Sequence, residues 1–380
     1  MPLRIRLGVV LVGLLTMIGL GAGAPTASAA LPPQGLYEEC APVAEAPRCV
    51  SDLDQLGGAG FQAILNYEQW WSTPEQVTQY AAAAQSAGVK VIWPLKEAIW
   101  RNGGDLASYY PSLAGACSSC GHEEFVRYVV NMVKGLPATW GYYIGDEVSP
   151  AEAPQVAALA ALIKSVDPNH PLLLVATEPS GTGANLNPLA SSADVLAADP
   201  YPWGWPDSSL SEIGSTTRLV QNVANASHRQ SAMVLQAFDW SQYPETAGPV
   251  SPTFPTEAAM LQERDEALDN GSPSLLLWYS LFDIQRSTDP AGNWADLVAA
   301  AFEGSATTTA ASAAPTGARS ARTPARCARH KAKRKTKTKT KRRSDKRRAR
   351  VTHHSSKHRH PRRKRRTHRR TQQLRRPAAC

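Results

Sequence analysis

Apolar and polar positions change rhythm in a repeating order along residues 35–304. Short apolar runs of strand length are followed by longer segments with helical spacing. The strand-like runs are "GLYEEC" (35–40), "FQAILNY" (61–67), "VKVIWPL" (89–95), "TWGYYIGDE" (139–147), "PLLLVATE" (171–178), "VLAADPYPW" (195–203), "AMVLQAFDW" (232–240) and "SLLLWYSLFDI" (274–284). Helix-like segments cover 51–60, 73–88, 122–135, 153–168, a short piece near 185–193, 211–227, 255–271 and 293–304. The second has the plainest boundaries: Thr73 caps it, Pro74 opens its first turn and Gly88 stops it. Eight strand–helix repeats in about 270 residues predict an α/β fold, a single (β/α)8 TIM barrel over residues 31–304. A doubly wound sheet shares the alternation, but it binds nucleotides at a glycine-rich turn that this chain lacks, and no cofactor is indicated.

Active sites of such barrels lie at the C-terminal ends of the strands. Here those ends are polar: Glu38 and Glu39, Asn66 and Tyr67, Lys96 and Glu97, Asp146 and Glu147, Glu178, Asp199 and Tyr201, Gln236 and Asp239, Ser280 and Asp283. A single polar strand end is ordinary, whereas eight in succession suit a site on a barrel mouth. In the fourth strand, alternation puts Trp140, Tyr142, Ile144 and Asp146 on one face and Gly141, Tyr143, Gly145 and Glu147 on the other. The glycine-bearing face suits the crowded barrel axis. It therefore aims Glu147 at the mouth and Asp146 to its side, where Asp146 or Ser149 could cap the next helix. Trp70, Trp71, Trp100, Trp203, Trp205, Trp240 and Trp278 fall at or just beyond strand ends. Indole faces stack on the C–H faces of sugars, though about half of such residues are expected to fill the layer between barrel and helices. "DPYPWGWP" (199–206) is the most site-like stretch, because its prolines stiffen a loop rich in aromatics.

With the "GDE" end of the fourth strand and the "WYSLFD" of the eighth, the chain resembles the large retaining clan of (β/α)8 glycoside hydrolases that includes cellulases and β-galactosidases. In that clan a glutamate ending the fourth strand is the acid/base, usually after an asparagine, and a second glutamate ending the seventh strand is the nucleophile. The resemblance implies that Glu147 is the acid/base, that Asp146 replaces the asparagine and that Trp278 is the tryptophan of the eighth strand. It breaks at the seventh strand, where Gln236 stands at the nucleophile position. An amide cannot act as that nucleophile. Three readings stay open: Asp239 serves after a shift of register, an inverting pair joins Glu147 to Asp199 or Glu178 through a water, or the barrel binds sugar without cleaving it. Retaining carboxylates stand about 5–5.5 Å apart and inverting ones about 6.5–9.5 Å. The expected site is Glu147, Asp146 and Asp199 for catalysis, with Asn66, Tyr67, Lys96, Glu178, Tyr201, Trp203, Gln236, Trp240 and Trp278 binding a carbohydrate.

Composition adds two ends of a different character. Residues 1–30 read as a secretory signal peptide, with Arg4 and Arg6, an apolar core and a small-residue "ASA" cleavage site; no later run is long and apolar enough to span a bilayer. From Ser305 a small-residue linker runs to 326, and a Lys/Arg-rich tail occupies 327–380. Residues 319–380 hold 28 Lys and Arg against one acid, Asp345, a balance of +27. The other 13 basic and 31 acidic residues leave −18 for residues 1–318, so the overall +9 describes neither part. Such a tail is expected to be disordered and to adhere to a polyanion. No aromatics interleave its charges, which argues against base stacking and specific nucleic-acid recognition; for an exported protein, anionic wall polymer is the available partner. The expected location is extracellular or wall-associated. Six cysteines in an exported chain suggest disulfides, locally 40–49 and 117–120, with Cys327 and Cys380 in the tail. "CSSCGH" with His122 could also hold zinc, but no fourth ligand is apparent and no metal is expected.

Overall fold

The computed structural model describes residues 30–100, 106–117, 120–176, 179, 181, 183–243 and 250–303. The signal-like segment, the linker and the basic tail lie outside the described residues. Eight strands, β1 (Gln34–Glu38), β2 (Ala63–Asn66), β3 (Lys90–Pro94), β4 (Thr139–Val148), β5 (Leu172–Ala176), β6 (Val195–Ala198), β7 (Gln230–Gln236) and β8 (Leu276–Tyr279), form a closed barrel in chain order. Each neighbouring pair is parallel, and β8 closes on β1 through Leu36 opposite Trp278. The chain has the predicted (β/α)8 fold.

Period-two alternation divides the strands between two cores. Ala63, Val175, Ala197, Ala232 and Val234 fill the axis, with Tyr37 and Tyr143 above them. Leu36, Ile64, Trp93, Leu174, Leu196 and Leu235 face outward into the helix layer. Strand ends are tighter than the apolar runs. Pro200 and Pro202 lie beyond β6, and Ser280 caps a short helix, Leu281–Gln285, straight after β8.

The helices follow their local chemistry. Thr73 closes a capping box, accepting from Gln76 N–H at 3.3 Å while the Gln76 side chain accepts from Thr73 N–H at 2.8 Å, and the helix Pro74–Ser86 follows. The first helix is longer than expected, Pro42–Ala59, because its prolines are accommodated at the first turn and beside a non-helical Glu45. Both expected disulfides are present, Cys40–Cys49 and Cys117–Cys120. The second removes the thiolates a zinc site would need. Among the described residues no helix is long and apolar enough to cross a membrane.

Candidate active site

The fourth strand supplies the centre of the mouth, but not in the register that simple alternation predicts. Tyr143 pairs with Leu173 and Gly145 with Leu174, so Ile144 is the extra residue of a β-bulge. Gly145 consequently points outward: a Cβ there would stand 2.8 Å from Leu174 Cδ1 and 2.9 Å from Val148 Cγ1, both in the helix layer. The count slips by one, and Asp146, not Glu147, turns inward. Trp140, at the base of the strand, likewise packs against the inner cluster. Asp146 caps no helix. Ser149 and Glu152 take that role, with Ser149 N–H donating to Glu152 Oε2 at 2.9 Å. Glu147 follows at the rim, exposed, with φ at +46°, a left-handed conformation that costs a non-glycine residue roughly 1–3 kcal/mol.

Asp146 is held by donors from β4 and from the residues just beyond β2 and β3. Tyr143 Oη donates to Oδ1 at 2.5 Å, Tyr67 Oη donates to the same oxygen at 3.1 Å, and Lys96 Nζ pairs with Oδ2 at 2.6 Å. The Lys96 ammonium also sits 3.1 Å over the Tyr67 ring centroid, a cation–π contact. Asp199, just past β6, completes the group. Burial pushes its carboxyl well above the usual carboxylate range; the charges of Glu147 and Asp146 push the same way, while the Tyr201 hydroxyl pulls partly back. The three acids expected from the sequence thus act on one another at one mouth.

An aromatic wall runs from Asp199 toward β8. Tyr201 meets Phe238 edge-on at 5.1 Å, and Tyr279 stands between Tyr201 at 5.9 Å and Tyr37 at 5.2 Å. Trp240 packs edge-on to Phe238 at 4.8 Å and to Trp205 at 5.5 Å. Trp203 is half-buried beside them and donates from Nε1 to Thr253 O at 3.0 Å.

Four expected roles are corrected. Trp278 faces the helix layer, fully buried, and donates to Gln34 Oε1 at 2.8 Å; Tyr279 occupies the mouth instead. Asn66 also turns outward. It donates to Cys40 O at 2.7 Å and accepts from Cys40 N–H at 3.0 Å and Glu68 N–H at 3.1 Å, so its amide ties two loops together and is not open to a sugar. Gln236 is fully buried and spends its carboxamide on backbone: it accepts from Trp203 N–H at 3.0 Å and donates to Trp203 O at 3.1 Å and Phe238 O at 3.2 Å. Asp239 accepts from Ser241 N–H at 2.8 Å and caps the turn after β7, so no shift of register brings it to the nucleophile position. Glu178 lies outside the described residues. Trp70, stacked on Trp93 at 5.6 Å, is core, as about half the tryptophans were expected to be.

Glu39, a polar strand end by sequence but absent from the expected site, also lies near the mouth. It follows Gly35 and Tyr37 on the inward face of β1 and is half-buried. Burial raises its carboxyl from 4.5 to about 7, helped by Glu68 and Asp283 and opposed by Arg286 and Lys96. Period-two counting from Tyr37 was the signal that could have found it. Its neighbour Glu38 turns the other way, beside Arg48 at 3.2 Å, and burial, with Asp52 nearby, raises it to about 8.

No protein-family model matches the sequence, and no curated protein matches it. Solved structures do. A candidate alpha-L-fucosidase from Bacteroides thetaiotaomicron is similar over 72% of this chain and 94% of its own, at 13% identity and a TM-score of 0.51. An endo-beta-1,4-mannanase from Thermotoga petrophila aligns over 72% of this chain and 76% of its own, at 13% identity and a TM-score of 0.48. A glycoside hydrolase family 5 protein from Bacteroides vulgatus aligns over 70% and 64%, at 11% identity and a TM-score of 0.49. The described residues share the (β/α)8 barrel fold of the fucosidase structure.

Proposed function

We propose that this protein is an exported glycosidase that hydrolyses O-glycosidic bonds of a poly- or oligosaccharide by carboxylate acid/base catalysis. The observation that carries this reading is Asp199, placed just past β6 at the barrel mouth, where burial and the charges of Glu147 and Asp146 raise its carboxyl well above the usual carboxylate range. A carboxyl raised in this way favours its protonated form, the form that departure of a sugar oxygen requires. Asp199 gives its proton to the glycosidic oxygen as the bond to the anomeric carbon breaks. On the opposite face of the ring, Glu147 at the rim takes a proton from the water that attacks the anomeric carbon, while Asp146, oriented by Tyr67, Tyr143 and Lys96, faces the positive charge that develops there. The acid role expected of Glu147 thereby passes to Asp199. Tyr201, Trp203 and Trp240 offer aromatic surface to the sugar.

The test is reducing-sugar release from a polysaccharide panel. Release by the wild-type protein that falls at least a hundredfold in both Asp199→Asn and Glu147→Gln supports the reading; equal release by either variant rejects the role of that residue. Carbohydrate binding without cleavage is the second reading, favoured by Gln236, which leaves the end of β7 without a carboxylate. Calorimetric sugar binding with no release would select it. Export is supported by the two disulfides, which persist in oxidising compartments. In the same proposal the basic tail holds the protein to anionic wall polymer. Raising salt from about 50 mM to about 500 mM should then strip it from cells; retention at high salt would reject that role.

A further inference from the structure

We infer that Gln236 is a positioning residue for the segment that carries Asp199, and that this task requires an amide. The segment leaves the barrel at Ala198, the last residue of β6, and is gripped again at Trp203. Gln236 pairs with both backbone groups of Trp203, N–H to Oε1 at 3.0 Å and Nε2 to O at 3.1 Å, as a neighbouring strand would. Its second amide proton goes to Phe238 O at 3.2 Å. The Gln236 backbone is anchored in turn, its N–H donating to the buried Glu263 Oε2 at 2.8 Å on the helix Glu257–Asp269. Between the two fixed ends lie only Asp199, Pro200, Tyr201 and Pro202, and the prolines restrict the backbone further. Asp199 and Tyr201 therefore inherit their positions from a tether on the neighbouring strand.

This explains why a glutamine stands where the resemblance suggests a glutamate. An ionised carboxylate could accept from Trp203 N–H, but it has no proton for Trp203 O or Phe238 O. Both carbonyls would then face a buried negative charge with no donor. Restoring the acid therefore releases the loop and does not restore a nucleophile. The loop has further ties past this point, Trp203 Nε1 to Thr253 O at 3.0 Å and Ser251 N–H to Gly204 O at 2.7 Å, so the loss stays local.

The inference rests on Asp199 belonging to the working site, but its main readout does not need activity. Hydrogen exchange is followed in a peptide spanning residues 199–206 of the full-chain protein, for wild type, Gln236→Glu and Gln236→Met. At about pH 9, above the value to which burial raises a carboxyl such as Glu38, exchange in that peptide should accelerate roughly tenfold or more in both variants, while the barrel strands stay protected. Toward about pH 5 the glutamate variant should regain protection relative to wild type, because its protonated carboxyl recovers one donor; the methionine variant should not. Where sugar release is measurable, kcat should follow the same pH pattern. Unchanged exchange in Gln236→Glu at the higher pH, equal recovery of both variants in acid, or a gain of activity in Gln236→Glu would overturn the assignment. If the wild type releases no sugar, the exchange pattern alone decides.

Discussion

The two flanks of the barrel mouth carry the same residue types among different neighbours, although burial raises the carboxyls of both Asp199 and Asp283. On the β8 flank, Asp283 is fully buried and fully used: it accepts from Ser280 Oγ at 2.5 Å, Tyr243 Oη at 2.8 Å and Arg286 at 2.5 and 2.9 Å. Arg286 is itself stacked, 4.7 Å from the Phe282 ring centroid and 5.4 Å from that of Tyr243. On the β4–β6 flank, Asp199 has carboxylates for neighbours, and the nearby ammonium of Lys96 is paired with Asp146. Hydroxyl donors and Arg286 offset the burial of Asp283, whereas neighbouring carboxylates add to that of Asp199. Under the proposed function, the difference separates a structural carboxylate from the chemical one.

The sharpest way to break this contrast is to neutralise one acid on each flank. Asp199→Asn should lower kcat by roughly 10²–10⁴ while leaving the melting temperature unchanged or raised, since a crowded charge is removed. Asp283→Asn should do the reverse, with kcat within about threefold and a loss of about 2 kcal/mol, a buried-pair cost reduced because Arg286 is partly exposed. Steady-state kinetics and thermal denaturation of the two variants check both arms, and a shared phenotype would dissolve the distinction. Glu39 stands between the flanks and tests the pH side. Its folded value of about 7 exceeds the ordinary 4.5, so the native state keeps a proton that the unfolded chain has lost. Its stabilising contribution is complete below about pH 4.5 and fades as pH rises through about 7, at up to ~1.4 kcal/mol per pH unit. Urea denaturation of Glu39→Gln at several pH values should show a flatter dependence than wild type. The smallest effect is expected of Tyr67→Phe, which removes one of three donors to Asp146 and should cost about 1 kcal/mol in transition-state stabilisation, roughly fivefold in kcat/KM.

Much of this arrangement is legible before any coordinates, for identifiable reasons. The barrel follows from runs whose rhythm changes between period 2 and period 3.6, and the capping chemistry at Thr73 marks a helix start by itself. Asp146, Glu147 and Asp199 are visible as acids ending apolar strands. What escapes is whatever depends on pairing between strands. The bulge at Ile144 and Gly145 reverses the faces of Asp146 and Glu147, and it exists only relative to β5. The Trp278 indole suits a sugar platform and a helix layer equally well, so composition does not choose between them. Asn66 and Gln236 look like ligand-binding amides because their real partners, Cys40 and Trp203, lie 26 and 33 residues away in the chain. Glu39 was passed over because its strand is short and its adjacent acid, Glu38, blurs the alternation.

The bulge has a further consequence for comparing such chains. One extra residue decides which member of the acid pair turns toward the barrel axis, so a single insertion or deletion upstream of "GDE" would exchange their orientations while leaving the tripeptide intact. Two homologues could align letter for letter at this point and still turn different carboxylates toward the axis. Roles should therefore be carried between relatives by hydrogen-bonded register with the neighbouring strand, and lineages that gain or lose the bulge have a short mutational route to a rearranged catalytic centre.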